Sequence, residues 1–185
     1  MSIWITEDAQ LAKYAEMSMR STKLTAAMYL PELFYRPFCT LHDQIFDLID
    51  DPTKQKVAIA APRGFGKTTI DTIAFPARHV LFDLARFIVP ISCTATQAEL
   101  QSENLKYELM GNETIRGTFG DQKTDSWAKE QWISKFGCLV KPRGAGQQVR
   151  GLLHRGRRPD LIICDDLEDA ESVRNPEQRQ KLKEW

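Results

Sequence analysis

The run Ala61-Pro62-Arg63-Gly64-Phe65-Gly66-Lys67-Thr68-Thr69 constrains the fold more than any other part of the chain. It follows the apolar residues Val57-Ala58-Ile59-Ala60 and precedes a segment with helical spacing. A strand, a glycine-bearing turn and a helix start, in that order, form a cradle for phosphate. Backbone N–H groups and the positive end of the helix then face one anion. In such a cradle Lys67 reaches the β- and γ-phosphates of ATP, and the Thr68 hydroxyl takes Mg²⁺. The usual pattern opens with Gly, and Ala61 stands in that place. The residues expected to surround the nucleotide are Pro62, Arg63, Gly64, Phe65, Gly66, Lys67, Thr68 and Thr69. Arg63 lies on the loop itself, where its guanidinium could meet the γ-phosphate of the same subunit; the plainer reading is a surface ion pair.

A second motif lies about a hundred residues on. Leu161-Ile162-Ile163-Cys164 reads as a strand buried on both faces, and Asp165-Asp166-Leu167-Glu168-Asp169 follows it. Acidic residues at the C-terminal end of such a strand stand where open parallel sheets place ligands. Asp165, the first of them, is the candidate for holding Mg²⁺ through water. Asp166 and Glu168 compete to orient the attacking water.

The chain has 185 residues, enough for one domain with a real core, and its formal net charge is zero. Bulk charge therefore does not advertise nucleic acid. Locally, Lys141, Arg143, Arg150, Arg155, Arg157 and Arg158 run without an intervening acid. Such a run is commonly a solvated loop, and near a nucleotide it can also serve phosphates. Cys39, Cys93, Cys138 and Cys164 have no metal-ligand spacing and read as small buried hydrophobes of a reducing compartment. His42, His79 and His154 form no metal constellation. There is no bilayer-length apolar run, and Met1-Ser2-Ile3-Trp4 lacks the start of a signal peptide, so a cytoplasmic location is expected.

Along the chain, Thr6-Glu7-Asp8 can start a helix, and residues 24–39 read as an irregular aromatic packing segment. Residues 1–39 thus form a helical and irregular arm, and 40–185 the core. Thr40-Leu41-His42-Asp43 fits a capping box. A helix from about Lys67 to Phe82 is expected to kink at Pro76. Phe87 to Ile91 is a strand whose Pro90 suggests an edge or bulge. A helix follows Thr94, residues 111–125 read as a loop, and 132–140 as a hairpin in which Trp127 and Trp132 are anchors. Asn175-Pro176-Glu177-Gln178 starts a helix that is still running at Trp185. Strands alternating with helices imply an α/β fold with a mostly parallel sheet covered on both faces. The abrupt end suggests a fragment of a longer polypeptide.

With both motifs placed, the chain resembles the N-terminal ATPase domain of the large terminase subunit of tailed bacteriophages, the motor that pumps DNA into empty capsids. The resemblance covers about residues 36–185. It rests on the atypical loop with Arg63 inside it, on Gln44 in Leu41-His42-Asp43-Gln44-Ile45-Phe46, on Val149-Arg150-Gly151, and on Arg158-Pro159-Asp160 leading into the acidic strand. It implies a P-loop NTPase of the ASCE-like type that hydrolyses ATP with Mg²⁺. It implies adenine recognition by Gln44, and an Arg150 that reaches a neighbouring subunit's nucleotide, with Arg155 as its rival. It further implies double-stranded viral DNA, a portal protein and a small terminase subunit as partners. A homo-oligomeric ring on the procapsid and action in the host cytoplasm belong to the same expectation. The family's coupling motif and nuclease domain have no counterpart in this sequence. Many terminases carry Asp-Glu where this chain has Asp165-Asp166, so Asp166 and Glu168 both stay open as the catalytic carboxylate. Two further readings are a helicase-like DNA-dependent ATPase and a nucleotide-binding assembly module without turnover.

Overall fold

Helix starts in the first fifty residues are set by their own side chains. In the computed structural model, which describes residues 5–168 and 175–185 without the side chain of Gln178, α1 spans Ala9–Ser18. Its cap is Asp8, whose carboxylate accepts from the N–H groups of Gln10 and Leu11. The N-terminal tetrapeptide and Asp169 of the acidic run lie outside the described residues. Helix α2 (Thr22–Tyr29) starts at Ser21, whose hydroxyl accepts from Leu24 N–H. It replaces much of the irregular segment expected over 24–39, because Thr25, Ala26 and Tyr29 face inward with helical spacing. Helix α3 (Thr40–Asp50) is closed at its start by His42, whose Nδ1 accepts the Cys39 N–H at 3.0 Å. The box therefore begins one residue earlier than Thr40.

Residues 57–61, expected as the strand feeding the loop, carry no strand pairing. Ile59 and Ala61 pack on the core while Val57, Ala58 and Ala60 are exposed. From Ala58 to Ala61 exposed and packed residues alternate, as in a strand without a neighbour to complete its ladder, and Val57 falls outside that pattern. The helical stretch after the loop begins as α4 (Lys67–Thr69), widens into a π-helical turn at Ile70–Ala74 and continues as α5 (Phe75–Leu81). The expected kink at Pro76 takes this form. Its ring would collide with the carbonyl four residues back, and the wider turn avoids that.

Strand β1 (Phe87–Ser92) is followed by α6 (Ala95–Gly111), capped by Thr94. Within the stretch expected as loop, α7 (Glu113–Phe119) forms under an Asn112 cap and buries Ile115 and Phe119. Strands β2 (Trp132–Ile133), β3 (Leu139–Val140), β4 (Arg143–Gly144) and β5 (Leu161–Cys164) follow, then α8 (Pro176–Glu184). β1 pairs in parallel with β3 and β4 along one side and with β5 along the other, and β2 is antiparallel to β3. The fold is α/β with a mixed sheet.

Pro90 does not mark an edge, since β1 lies inside the sheet. Ile88 O accepts from Lys141 N at 3.0 Å and Ser92 O from Ala145 N at 2.8 Å, so even residues of β1 face the β3–β4 side. Pro90 faces the break between those strands, where a missing N–H interrupts no ladder. β5, by contrast, pairs only with β1 among the described residues. It was expected to be buried on both faces, yet Ile162 is 49% exposed while Ile163 is buried.

One face of the sheet packs Ile88, Val140 and Ile163 against the helices. Ala15, Ala26, Tyr29 and Leu30 of the N-terminal segment belong to that same core. On the other face Phe87, Val89, Ile91 and Leu139 are covered by Val149, Leu152, Leu167 and Trp185. Loop residues and Trp185, just beyond α8, do there what a second layer of helices was expected to do. Trp132 is fully buried and donates its Nε1 hydrogen to Ser102 at 2.8 Å, an anchor as expected. Of the cysteines only Cys138 is buried, and burial pushes its thiol up to about 12. Cys39 and Cys164 are exposed because one caps α3 and the other ends the edge strand.

Two contacts fix the frame around the loop. A Cβ on Gly144 would lie 2.5 Å from Ala95 N, so β4 and the start of α6 can meet only at a glycine. Asp50 accepts from Thr22 N–H and Oγ1, both at 2.6 Å, and pairs with Arg78 at 3.1 Å. Arg78 also donates to Met19 O at 3.0 Å. This network ties α2, α3 and α5 together under the helix that carries Lys67.

Candidate functional site

β1 and β5 end side by side, and the chain leaving β5 is pinned to the chain leaving β1. Asp165 N donates to Ile91 O at 2.9 Å, Ser92 Oγ to Asp165 O at 2.8 Å, and Cys93 N to Asp166 O at 2.9 Å. Asp166 sits at φ 47°, in the left-handed region. Such a residue costs on the order of 1 kcal/mol, and the flanking bonds hold it. The turn aims the Asp165 carboxylate at two elements at once. Its Oδ1 accepts from Thr68 Oγ1 at 3.4 Å, and its Oδ2 from Gln101 Nε2 at 2.9 Å. Burial raises the Asp165 pKa, the Thr68 bond opposes that, the Asp166 charge raises it further, and Gln101 and Lys67 lower it.

The loop meets this end of the sheet through α4. Gly64 (φ 84°) and Gly66 (φ 65°) take the left-handed turns that a side chain would strain. Lys67 Nζ donates to Ala61 O at 2.5 Å and Pro62 O at 2.9 Å, so the ammonium closes the loop on its own carbonyls. His42 Nδ1 accepts the Cys39 N–H, which leaves the hydrogen on Nε2, and Nε2 donates to Phe65 O at 3.0 Å. The loop crest is thereby tied to the start of α3.

Two members of the site escaped the sequence reading. Asp71 stands on the π-helical turn, and its pKa is raised to about 6, first by burial and then by the Asp165 charge, against the pull of Lys67. Its place four residues after Lys67 was the available signal. Gln101 is 5% exposed, and its helical spacing with the inward Ala98 and Leu105 could have flagged it. No chain-local feature says that the amide meets Asp165.

A cleft of about 270 Å³ opens beside the loop. Tyr35, Arg36, Phe38, His42, Phe65 and Thr69 are among its lining residues, and Gln44 is not. Gln44 is exposed on α3, two residues after His42. Two helical steps turn a side chain by about 200°, so residues 42 and 44 face opposite ways.

The structure thus brings Lys67, Thr68 and Asp165 together, with Pro62, Gly64, Phe65, Gly66 and Thr69 around them. Arg63, Asp166, Glu168 and Arg150 are exposed, and their side chains make no hydrogen bond or ion pair among the described residues. Arg150 lines a separate cleft of about 530 Å³ with Gln148, Val149, Glu184 and Trp185. Arg155 lies in the turn before β5.

No group of three His, Cys, Asp or Glu side chains that could hold a metal occurs among the described residues. A Mg²⁺ site needs no such group, because this ion commonly binds through one or two protein oxygens, phosphate and water. The Thr68 hydroxyl and the Asp165 carboxylate fit that donor set. Comparison of the chain with protein-family models, with curated proteins and with solved structures finds no match.

Proposed function

We propose that the chain is a P-loop ATPase that binds ATP through the Lys67 loop and hydrolyses it with Mg²⁺. One observation carries this reading. Thr68 and Asp165, 97 residues apart and named from two separate motifs, meet at 3.4 Å. Lys67 would exchange the Ala61 and Pro62 carbonyls for the β,γ-phosphate oxygens, which are stronger partners for an ammonium. Thr68 and, through water, Asp165 would hold Mg²⁺, which neutralises charge on those oxygens. Gln101 holds the far oxygen of Asp165 and so sets the direction of the near one. Arg63 is free to meet the γ-phosphate. The cleft beside the loop takes the base, with Tyr35 and His42 rather than Gln44 at hand. The finer reading, a terminase-like motor that moves double-stranded DNA in a ring with portal and small-subunit partners, rests on the motif resemblance.

A second reading, nucleotide binding without turnover, has one observation in its favour. Asp166 and Glu168 are exposed and their side chains make no hydrogen bond among the described residues, so neither candidate for orienting the attacking water is held in place. Phosphate release and binding of a fluorescent ATP analogue, each with and without Mg²⁺ and duplex DNA, separate the two. Mg²⁺-dependent, DNA-stimulated release supports the motor. Binding without release supports the module, and no binding sinks both.

A further inference from the structure

The basic run ends in a hairpin at the opposite end of the sheet from Asp165. His154 and Arg157 exchange backbone hydrogen bonds, each at 2.9 Å, around Arg155 and Gly156. Both central residues have positive φ, 48° and 78°, as a type I′ turn requires. Gly156 accepts that conformation freely, whereas Arg155 is strained in it. An arginine held in a strained conformation at a tip is a reason to ask what its side chain does.

The guanidinium groups of Arg155, Arg157 and Arg158 are exposed and have no carboxylate within ion-pair distance among the described residues. The neighbouring acids are already engaged. Asp160 accepts from the N–H groups of Arg86 at 2.8 Å and Phe87 at 2.9 Å, and Asp83 pairs with Arg86 at 2.6 Å. Arg155 lies against the turn at Gly137, whose Cβ would stand 3.5 Å from its Nη1. The next residue back, Phe136, has its carbonyl held by Arg86 at 3.2 Å. On a chain of zero net charge this end of the sheet presents three exposed arginines, with Asp160 and Asp83 as the nearby acids and neither in an ion pair with them. The hairpin feeds the N-terminal end of β5, so these arginines are placed for a partner other than a phosphate bound at the Lys67 loop.

We propose that this hairpin docks on the phosphodiester backbone of duplex nucleic acid without regard to base sequence. Guanidinium forks match phosphate oxygens two at a time, and a duplex supplies the highest density of such groups. The tip is too small to read base edges while it grips the backbone. The inference rests on the turn and its charges alone, so it can fail or stand independently of the ATPase reading.

The test is fluorescence anisotropy of the whole chain with two unrelated labelled duplexes of about 30 base pairs, from about 25 to 200 mM salt. Equal affinity for both is expected, with log K falling against log salt at a slope of about −2 to −3 for three phosphate contacts. Arg157→Glu with Arg158→Glu should weaken binding at least about tenfold and flatten the slope by about 2. Arg155→Gly, which keeps the turn, should flatten it by about 1. Lys13→Glu with Arg20→Glu on the N-terminal arm should change neither, and thermal melts verify that each variant is folded. The proposal is overturned if the wild-type chain does not bind at the lowest salt, or if the folded hairpin variants bind like wild type. It is also overturned if poly-glutamate displaces the duplex as well as unlabelled duplex does, which would point to an acidic protein partner instead.

Discussion

The two halves of the candidate site are built to different standards. Asp165 stands on a paired strand, with its own N–H, its carbonyl and both carboxylate oxygens in hydrogen bonds. The loop that carries Lys67 follows an extended segment with no strand partner, and its crest rests on one bond from His42 and on the self-contacts of Lys67. On the proposed reading, in which Asp165 holds a metal, its carboxylate gains from being fixed before the ligand arrives, because no reorganisation is needed at binding. A cationic loop gains from the reverse. Its ammonium is satisfied by its own carbonyls, which on the proposed reading phosphate would replace. The loop is anchored from behind, by the helix that runs back to Arg78.

That contrast can be broken most severely at the lysine. Lys67→Ala is expected to lower ATP turnover by about a thousandfold, about 4 kcal/mol, with only a small fall in melting temperature from the two lost loop hydrogen bonds, read by phosphate release and a thermal melt. Next comes the anchor of the loop half. Asp50→Ala leaves Arg78 without its partner in a place where both side chains are mostly buried, 11% and 14% exposed. A loss of about 3 kcal/mol in urea unfolding is expected.

Asp71 tests the electrostatics between the halves. Its pKa in the folded chain, about 6, exceeds its ordinary value of 3.8. The folded state therefore binds more protons between those values, and this group's contribution to stability falls as pH rises from about 4 to 6. Asp71→Asn should flatten that window in the nucleotide-free protein and raise stability at neutral pH by about 1–2 kcal/mol, after discounting for partial exposure. The smallest effect concerns Gln101. Gln101→Leu keeps the packing but removes the donor to Asp165, and about a tenfold loss of turnover, about 1.4 kcal/mol, is expected in phosphate release with little change in fold stability.

Much of this was legible in the chain because the signals were local. Asp8 and Thr94 cap helices by reaching N–H groups two or three residues on, so those helix starts follow from adjacent chemistry. Where reading failed, a distant partner decided. Residues 24–39 and 111–125 look irregular because of Pro31, Pro37, Gly111, Gly117 and Gly120, yet Tyr29 and Phe119 meet with ring centroids 5.4 Å apart and hold α2 and α7 in place. Pro90 looked like an edge marker, and it is tolerated inside the sheet because its neighbours on that side are interrupted at the same level. Gln44 and His42 share one helix, and only the position of the loop decides which of them faces the cleft.

The chain itself determined that Gly64 and Gly66 would turn, that Lys67 would start a helix behind them, and that Asp165 would leave the end of a strand. Each depends on backbone conformations and capping groups within a few residues. Only the tertiary structure decided that Thr68 and Asp165 meet, that Gln101 clamps the second oxygen, and that the arginine hairpin stands at the other end of the sheet. Those outcomes depend on which strands lie beside β1 and in which direction they run, and nothing local to any one segment encodes that.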